Sequence, residues 1–224
     1  MKLLEEFGLS KEQISKFTRY LELLLEWNEK FNLTAITDKD EIEEKHFIDS
    51  IELVKFFDVK NKTLLDIGSG AGFPGIPLAI AEPSLKITLL ESNGKRISFL
   101  KEAVKELALD NVEIIQGRAE ELNTREKYDI VTARAVKELN TLLEISFYLV
   151  KVGGSFIAYK SSGVDEEISN AKEVFKALQI DEFKKFEYSL PKSKNSRVFL
   201  EILKKNKTQK KYPRRYSEII KHPL

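Results

Sequence analysis

The sequence predicts an α/β fold: a seven-stranded, mostly parallel sheet with an N-terminal helical cap and a basic C-terminal tail. Three observations predict it. From residue 63 onward, short β-rich runs alternate with helical stretches, the rhythm of crossover units whose helices cover both faces of a parallel sheet. Ahead of that, apolar residues recur at helical spacing in two blocks. At 64–80, "LLDIGSGAGFPGIPLAI" joins one apolar run to another through three alternating glycines, a strand–loop–helix junction where α/β proteins hold ligands.

The elements follow in order. Ser10 with Gln13 reads as a capping box, and Ile14, Phe17, Leu21, Leu24 and Phe31 share a face, so 10–31 is read as one amphipathic helix. Ile42, Phe47, Ile51, Val54 and Phe57 mark a second over 39–57. Strand 63–67 leads to helix 74–82, where Pro74 suits the first turn because its missing N–H costs nothing there. Strand 86–91 precedes helix 94–108, and strand 111–116 precedes a loop. Strand 128–133 precedes helix 137–150, and strand 154–160 precedes helix 164–178. Two runs, 181–189 and 197–203, close the sheet with "PKSKNS" between them, a hairpin that makes one strand antiparallel. The expected organisation is a cap over 1–60, the sheet domain over 61–203 and a tail over 204–224, packed on the domain or extending from it.

Composition bounds the chemistry. The chain has 224 residues, 42% of them hydrophobic, and no apolar run near the ~20 residues of a membrane span. Cysteine is absent, which excludes disulfides, thiolate-ligated zinc, iron–sulfur clusters and a cysteine nucleophile. Two histidines make a histidine metal site unexpected. The acidic start "MKLLEEFGLS" lacks the apolar stretch of a secretion signal, so a cytoplasmic location is expected. The total charge of +1 hides an asymmetry: residues 204–224 hold eight Lys/Arg against one Glu, leaving −6 on residues 1–203. A concentrated cationic tail suits a polyanion, whose counterions it displaces. The alternative is a solvated tail, but Tyr212, Tyr216, Ile219, Ile220 and Leu224 supply more apolar anchors than solvation needs.

Two cofactors compete for the glycine loop. "GAGFPG" matches the dinucleotide fingerprint, though it starts late after the strand. The acid-x-G-x-G-x-G alternative, Asp66, Gly68, Gly70 and Gly72, suits S-adenosylmethionine. A pyrophosphate wants free N–H donors and no anion nearby, so Asp66 speaks against NAD and for a cationic sulfonium donor. Glu91 ends the second strand, where an acid accepts hydrogen bonds from ribose hydroxyls of either cofactor. "GRAEE" at 117–121 follows the third strand, where an adenine would lie against Ala119 and Glu120.

With these pieces assembled, the sequence resembles the ribosomal RNA small subunit methyltransferase G family, also called glucose-inhibited division protein B. The matching segments are "WNEKFNLTAI" (27–36), "HFIDSI" (46–51), "LLDIGSGAGFPGIPLAI" (64–80), "ESNGKRISFL" (91–100), "GRAEE" (117–121), "VTARAV" (131–136) and "YPRRYSEIIKHPL" (212–224). The resemblance implies a class I S-adenosylmethionine-dependent methyltransferase (Rossmann-like) fold. It implies methyl transfer to N7 of one guanine in the 530 loop of 16S rRNA. It also implies cofactor contacts at Gly68, Phe73, Ala119, Glu120 and Arg134. The whole candidate cofactor set is then Asp66, Gly68, Ser69, Gly70, Gly72, Phe73, Glu91, Ser92, Ala119, Glu120 and Arg134.

The residue inventory agrees. Guanine N7 is an in-plane lone pair that needs no general base, so positioning alone supplies much of the rate. Methylating cytosine C5 would need a cysteine, and an exocyclic amine would need an Asn/Asp-Pro-Pro-aromatic tetrad where "TARAV" stands. A small-molecule acceptor stays open. No residue is assigned as acid or base; Arg134 and Lys160 are positioning candidates. Candidates for RNA contact are Lys95, Arg96, Arg118, Arg197, Lys210, Lys211, Arg214, Arg215 and Lys221. His46 and Asp49, one turn apart, read as a packing or capping pair rather than a catalytic dyad, and Trp27 as core. The expected partner is 16S rRNA, free or within the small subunit, and the protein is expected to be a monomer. Two other classes compete: an NAD-dependent oxidoreductase, and a non-catalytic RNA-binding protein with an occluded pocket.

Overall fold

The structure, a computed structural model, describes residues 1–224. Seven strands form one sheet: β1 (Thr63–Ile67), β2 (Lys86–Glu91), β3 (Val112–Gln116), β4 (Tyr128–Arg134), β5 (Val150–Lys160), β6 (Lys184–Ser189) and β7 (Ser196–Leu203). Their order is β3-β2-β1-β4-β5-β7-β6, all parallel except β7, which runs antiparallel between β5 and β6. The order reverses between β1 and β4, so the ligand crevice opens just beyond the paired residues Ile67 and Ala133, where the two strands end.

Helices cover both faces. One core joins α1 (Lys2–Phe7), α2 (Lys11–Phe31), α6 (Gly75–Ala81) and α7 (Gly94–Glu106) to the sheet, with Phe17, Tyr20, Phe47 and Phe99 fully buried in it. The cap therefore shares the sheet's core rather than having its own. The opposite core packs α8 (Leu139–Ser146), α9 (Val164–Asn170), α10 (Lys172–Leu178) and part of the tail.

The capping box at α2 forms as expected: Ser10 Oγ accepts from Gln13 N at 3.2 Å, and Gln13 Oε1 accepts from Ser10 N at 2.9 Å. Gln13 Nε2 also donates to the carbonyls of Ile80 and Ala81, both at 2.9 Å, satisfying the end of α6. Ser10→Ala is expected to cost about 1 kcal/mol, seen as a lower urea midpoint with unchanged slope.

The expected single helix over 39–57 is instead four pieces: α3 (Lys39–Ile42), a π-helical stretch (Glu43–Ile48), α4 (Asp49–Ile51) and α5 (Leu53–Phe56). The extra residue per turn lets two buried acids serve different loops. Glu43 accepts from the amides of Leu3 and Leu4 at 2.9 and 3.2 Å, and Glu44 from those of Lys192 and Ser193 at 2.5 and 2.8 Å. They fix the N-terminal helix and the β6–β7 turn. Elsewhere the expected helix 164–178 divides at Ala171, and β5 begins four residues before the expected 154.

The tail is not a free polycation. Arg125 donates to the carbonyls of Tyr212, Thr208 and Gln209 at 2.9, 3.2 and 3.3 Å. Tyr212 and Ile219 are buried, and Asn140 Nδ2 donates to the Leu224 carbonyl at 3.1 Å. Lys204 is fully buried, donating to the carbonyls of Phe147 and Val150, and burial lowers its pKa to about 8. Arg214, expected at RNA, instead grips the buried Glu144 through two hydrogen bonds. Lys210, Lys211, Arg215 and Lys221 stay exposed.

Candidate active site

The loop after β1 spends most of its amides on itself and on the end of β2. Gly68 and Ser69 N–H donate to the Leu90 carbonyl, at 2.8 and 3.2 Å, and Gly72 and Phe73 N–H to the Ser69 carbonyl, at 2.7 and 2.9 Å. Gly70 N–H donates to Glu91 Oε2 and Gly75 N–H to Asp66 Oδ2, both at 3.0 Å. A loop so satisfied is a shaped cradle and offers no nest of donors to a pyrophosphate. Two close approaches need glycine. At Gly72, with φ +94°, a Cβ would lie 2.5 Å from Ile76 and 2.8 Å from the Tyr20 hydroxyl, which itself donates to the Ala71 carbonyl. At Gly68, with φ +64°, it would lie 2.9 Å from Val136.

Asp66 departs from its expected role. It is fully buried, lines neither cavity described below, and leaves Oδ1 without a partner. Burial raises its pKa to about 7, against the Gly75 hydrogen bond and Arg134, which lower it. Its carboxylate shapes the loop through the Gly75 amide. Because the unfolded chain ionises this acid near its ordinary value, the unfolded state binds fewer protons from about pH 4 to 7. Stability conferred at low pH is thus lost as pH rises through that window. Asp66→Asn, which keeps an acceptor for Gly75, is expected to remove that decline, as urea midpoints across the window will read.

Two cavities flank the point where Val136 leans on Gly68. The larger, about 1040 Å³, lies over the ends of β1, β4 and β5. Gly68, Ser69, Gly70, Phe73, Arg96, Arg134, Lys160 and Arg197 line it, so candidates from the glycine loop and four other segments meet there. The smaller, about 280 Å³, lies over the ends of β1–β3 and gathers Glu91, Ser92, Arg118, Ala119 and Glu120. Gly72 lies beneath the loop, outside both, and Lys95 stands on the exposed surface of α7.

Several side chains are already engaged. Glu91 accepts from the amides of Ser92 and Asn93, at 2.7 and 2.8 Å, as well as Gly70, so its carboxylate braces the loop before any ribose arrives. Arg96 lies 3.6 Å from Glu91. Lys160 is bonded to Glu167, which also accepts from the Leu139 amide at 3.1 Å. Lys160 therefore anchors α8 and α9 to β5 and is not a free cation.

One wall of the larger cavity is built around Asp49, only 4% exposed. Arg134 donates to it at 2.9 Å, Tyr188 at 3.0 Å, and Arg197 Nε lies 3.2 Å away. His46 does not pair with Asp49. Its ring stacks on Phe73 with centroids 4.6 Å apart, its Nε2 meets Thr34 Oγ1 at 2.9 Å, and the Arg134 guanidinium lies 5.1 Å from the centre of the Phe73 ring with its Nη2 3.5 Å from His46 Nδ1. Burial and the Arg134 charge lower the His46 pKa to about 4, so the imidazole is neutral near pH 7. Sequence reasoning missed Thr34 and Tyr188 as members of this cluster; the "NLTAI" segment was the one signal for Thr34. Trp27 packs on Phe31 and Phe99, as core.

This sheet order, glycine cradle and crevice define the class I S-adenosylmethionine-dependent methyltransferase fold. A solved S-adenosylmethionine-dependent methyltransferase from Aquifex aeolicus superposes with a TM-score of 0.55 over 74% of this chain and 94% of its own, at 19% identity. The family profile for GidB, rRNA small subunit methyltransferase G, matches residues 13–197. Ribosomal RNA small subunit methyltransferase G of Lachnoclostridium phytofermentans is 45% identical over 221 residues, covering 96% of this chain and 91% of the relative. That of Bacillus cytotoxicus is 46% identical over 224 residues, covering 97% and 93%. The chain belongs to the rRNA small subunit methyltransferase G family and is an enzyme of the methyltransferase class. No helix is long and apolar enough to cross a membrane.

Proposed function

We infer that this enzyme transfers a methyl group from S-adenosylmethionine to N7 of one guanine in the 530 loop of 16S rRNA, in the cytoplasm, without a general base. The observation that carries the donor is the glycine loop in which the amides of Gly68, Ser69, Gly70, Gly72, Phe73 and Gly75 are already paired: it fits a cationic nucleoside donor and leaves few donors for a dinucleotide's phosphates. The adenosine half fits the smaller cavity beside Glu91, Ser92, Ala119 and Glu120, and the methionine half fits over Gly68, Ser69, Gly70 and Phe73. The donor supplies an electrophilic methyl on a positively charged sulfur.

The remaining volume of the larger cavity is the acceptor's place. Its rim carries Lys45, Arg96, Lys137 and Arg197, cations suited to the phosphates beside a target nucleotide. The tail residues Lys210, Lys211, Arg215 and Lys221, with Lys95 and Arg118, are further exposed cations available to RNA. A neutral His46 does not compete for a proton that guanine N7 never carries. Holding donor and lone pair in line is the enzyme's task, worth up to ~7–11 kcal/mol of the barrier.

The test is incubation with tritiated S-adenosylmethionine and either naked 16S rRNA or small subunits lacking the modification, followed by mapping of the label. Label at a single guanine N7 in the 530 loop is expected. Label on protein or small molecules alone, or stabilisation by NADH and not by S-adenosylmethionine, would overturn the assignment.

A further inference from the structure

The smaller cavity has a wall that neither the glycine loop nor the strand ends provide. Beyond Glu91, Ala119 and Val136, its outer side is Tyr216, the first residue of α11 (Tyr216–Lys221) in the basic tail. The ring is half-buried, with the Arg118 guanidinium 5.4 Å from its centre. The segment that carries it is held on both sides. Arg214 grips Glu144 just before it, and Ile219 is buried just after.

A second path joins the same tail to the same cavity. Arg125, which binds the tail carbonyls, lies 4.9 Å from the centre of the Tyr148 ring. The Tyr148 hydroxyl donates to the carbonyls of Ala119 and Leu122 at 2.7 and 2.9 Å, which sets the turn Ala119–Glu121 on the cavity's floor. The tail thus supplies one wall and steadies another.

We propose that Tyr216 is a donor-binding residue whose ring flanks the purine of S-adenosylmethionine, so that the basic tail completes the donor site as well as facing RNA. This rests on the donor reading above. A flat π-face is the surface on which a purine stacks, and the position lies on the purine side of Glu91, away from Phe73 and the reacting methyl.

The experiment is calorimetric titration of the full-length chain with S-adenosylhomocysteine and, separately, with 5′-methylthioadenosine, which keeps the purine nucleoside and lacks the amino-acid end. Tyr216→Leu is expected to weaken both ligands by the same factor, roughly tenfold. Tyr216→Phe is expected to bind as the parent does. Thermal melting without ligand checks that both variants fold. Should Tyr216→Leu bind both ligands as the parent does, or lose only S-adenosylhomocysteine, the purine contact is refuted. Failure of the parent chain itself to bind either ligand would instead refute the donor reading, and the wall assignment with it.

Discussion

Arg134→Leu is expected to lower single-turnover methyl transfer by at least about 100-fold, because misplacing reacting groups by about 1 Å costs that much. Arg134 ends β4 and is the strut between sheet and cap. Its Nη1 donates to Asp49 and to the Lys45 carbonyl, at 2.9 and 3.3 Å, and its guanidinium sits against Phe73. Without it, Asp49 keeps Tyr188 and Arg197, so the carboxylate is not stranded and the fold should survive. What is lost is the orientation of Phe73 and of the cavity wall above the glycine loop. A spectroscopic signature separates this from general damage. Arg134 is the second cause, after burial, of the low His46 pKa, so the His46 titration followed by NMR should move upward in the variant. A variant with parental transfer rate, or with an unmoved His46, would contradict this strut.

Arg214→Met is expected to destabilise the fold by about 3–5 kcal/mol, the cost of leaving a buried charge without its partner. Glu144 is 1% exposed, and both of its oxygens are held by Arg214, at 2.5 and 2.7 Å. For a chain of this size, about 1 kcal/mol corresponds to roughly 2–4 °C, so calorimetry should show a drop on the order of 10 °C. Adding Glu144→Leu to that variant should recover most of the loss, since a buried pair and an apolar replacement are often close in stability. A drop shared equally by Lys221→Met, which is exposed, would show that the tail's charge, and not this pair, governs stability.

Periodicity carried the fold a long way. The seven strands, their parallel sense and the final hairpin follow from alternating runs and one short polar connection, because strand and helix periods differ so plainly. Two things escaped it. The π-helical stretch at Glu43–Ile48 is a response to the amides of Leu3, Leu4, Lys192 and Ser193, partners remote in the chain that no local spacing encodes. Counting charge likewise could not see that Lys204 and Arg214 point inward, since their partners, Phe147, Val150 and Glu144, come from another helix and strand.

The site shows the same division. The glycine loop, Glu91 and the 117–121 turn were legible because each ends a strand or directly follows one. Asp66 was expected at the ligand from the same adjacency; what its position in the chain did not show is that its Oδ2 turns under the loop to the Gly75 amide. The meeting of Thr34, His46, Asp49, Arg134, Tyr188 and Arg197 needs the cap folded over the sheet, and is visible only in three dimensions.

The placement of β7 between β5 and β6 has a bearing on how the chain is made. β6 has no neighbour except β7, so it cannot join the sheet while Ser196–Leu203 is still unsynthesised or missing. Until then the long β5 presents an open row of hydrogen-bonding groups to any passing strand. A nascent or clipped polypeptide lacking those eight residues should therefore be the species that self-associates and is handed to chaperones, while the finished one, whose border is the short, lysine-bearing β6, is not.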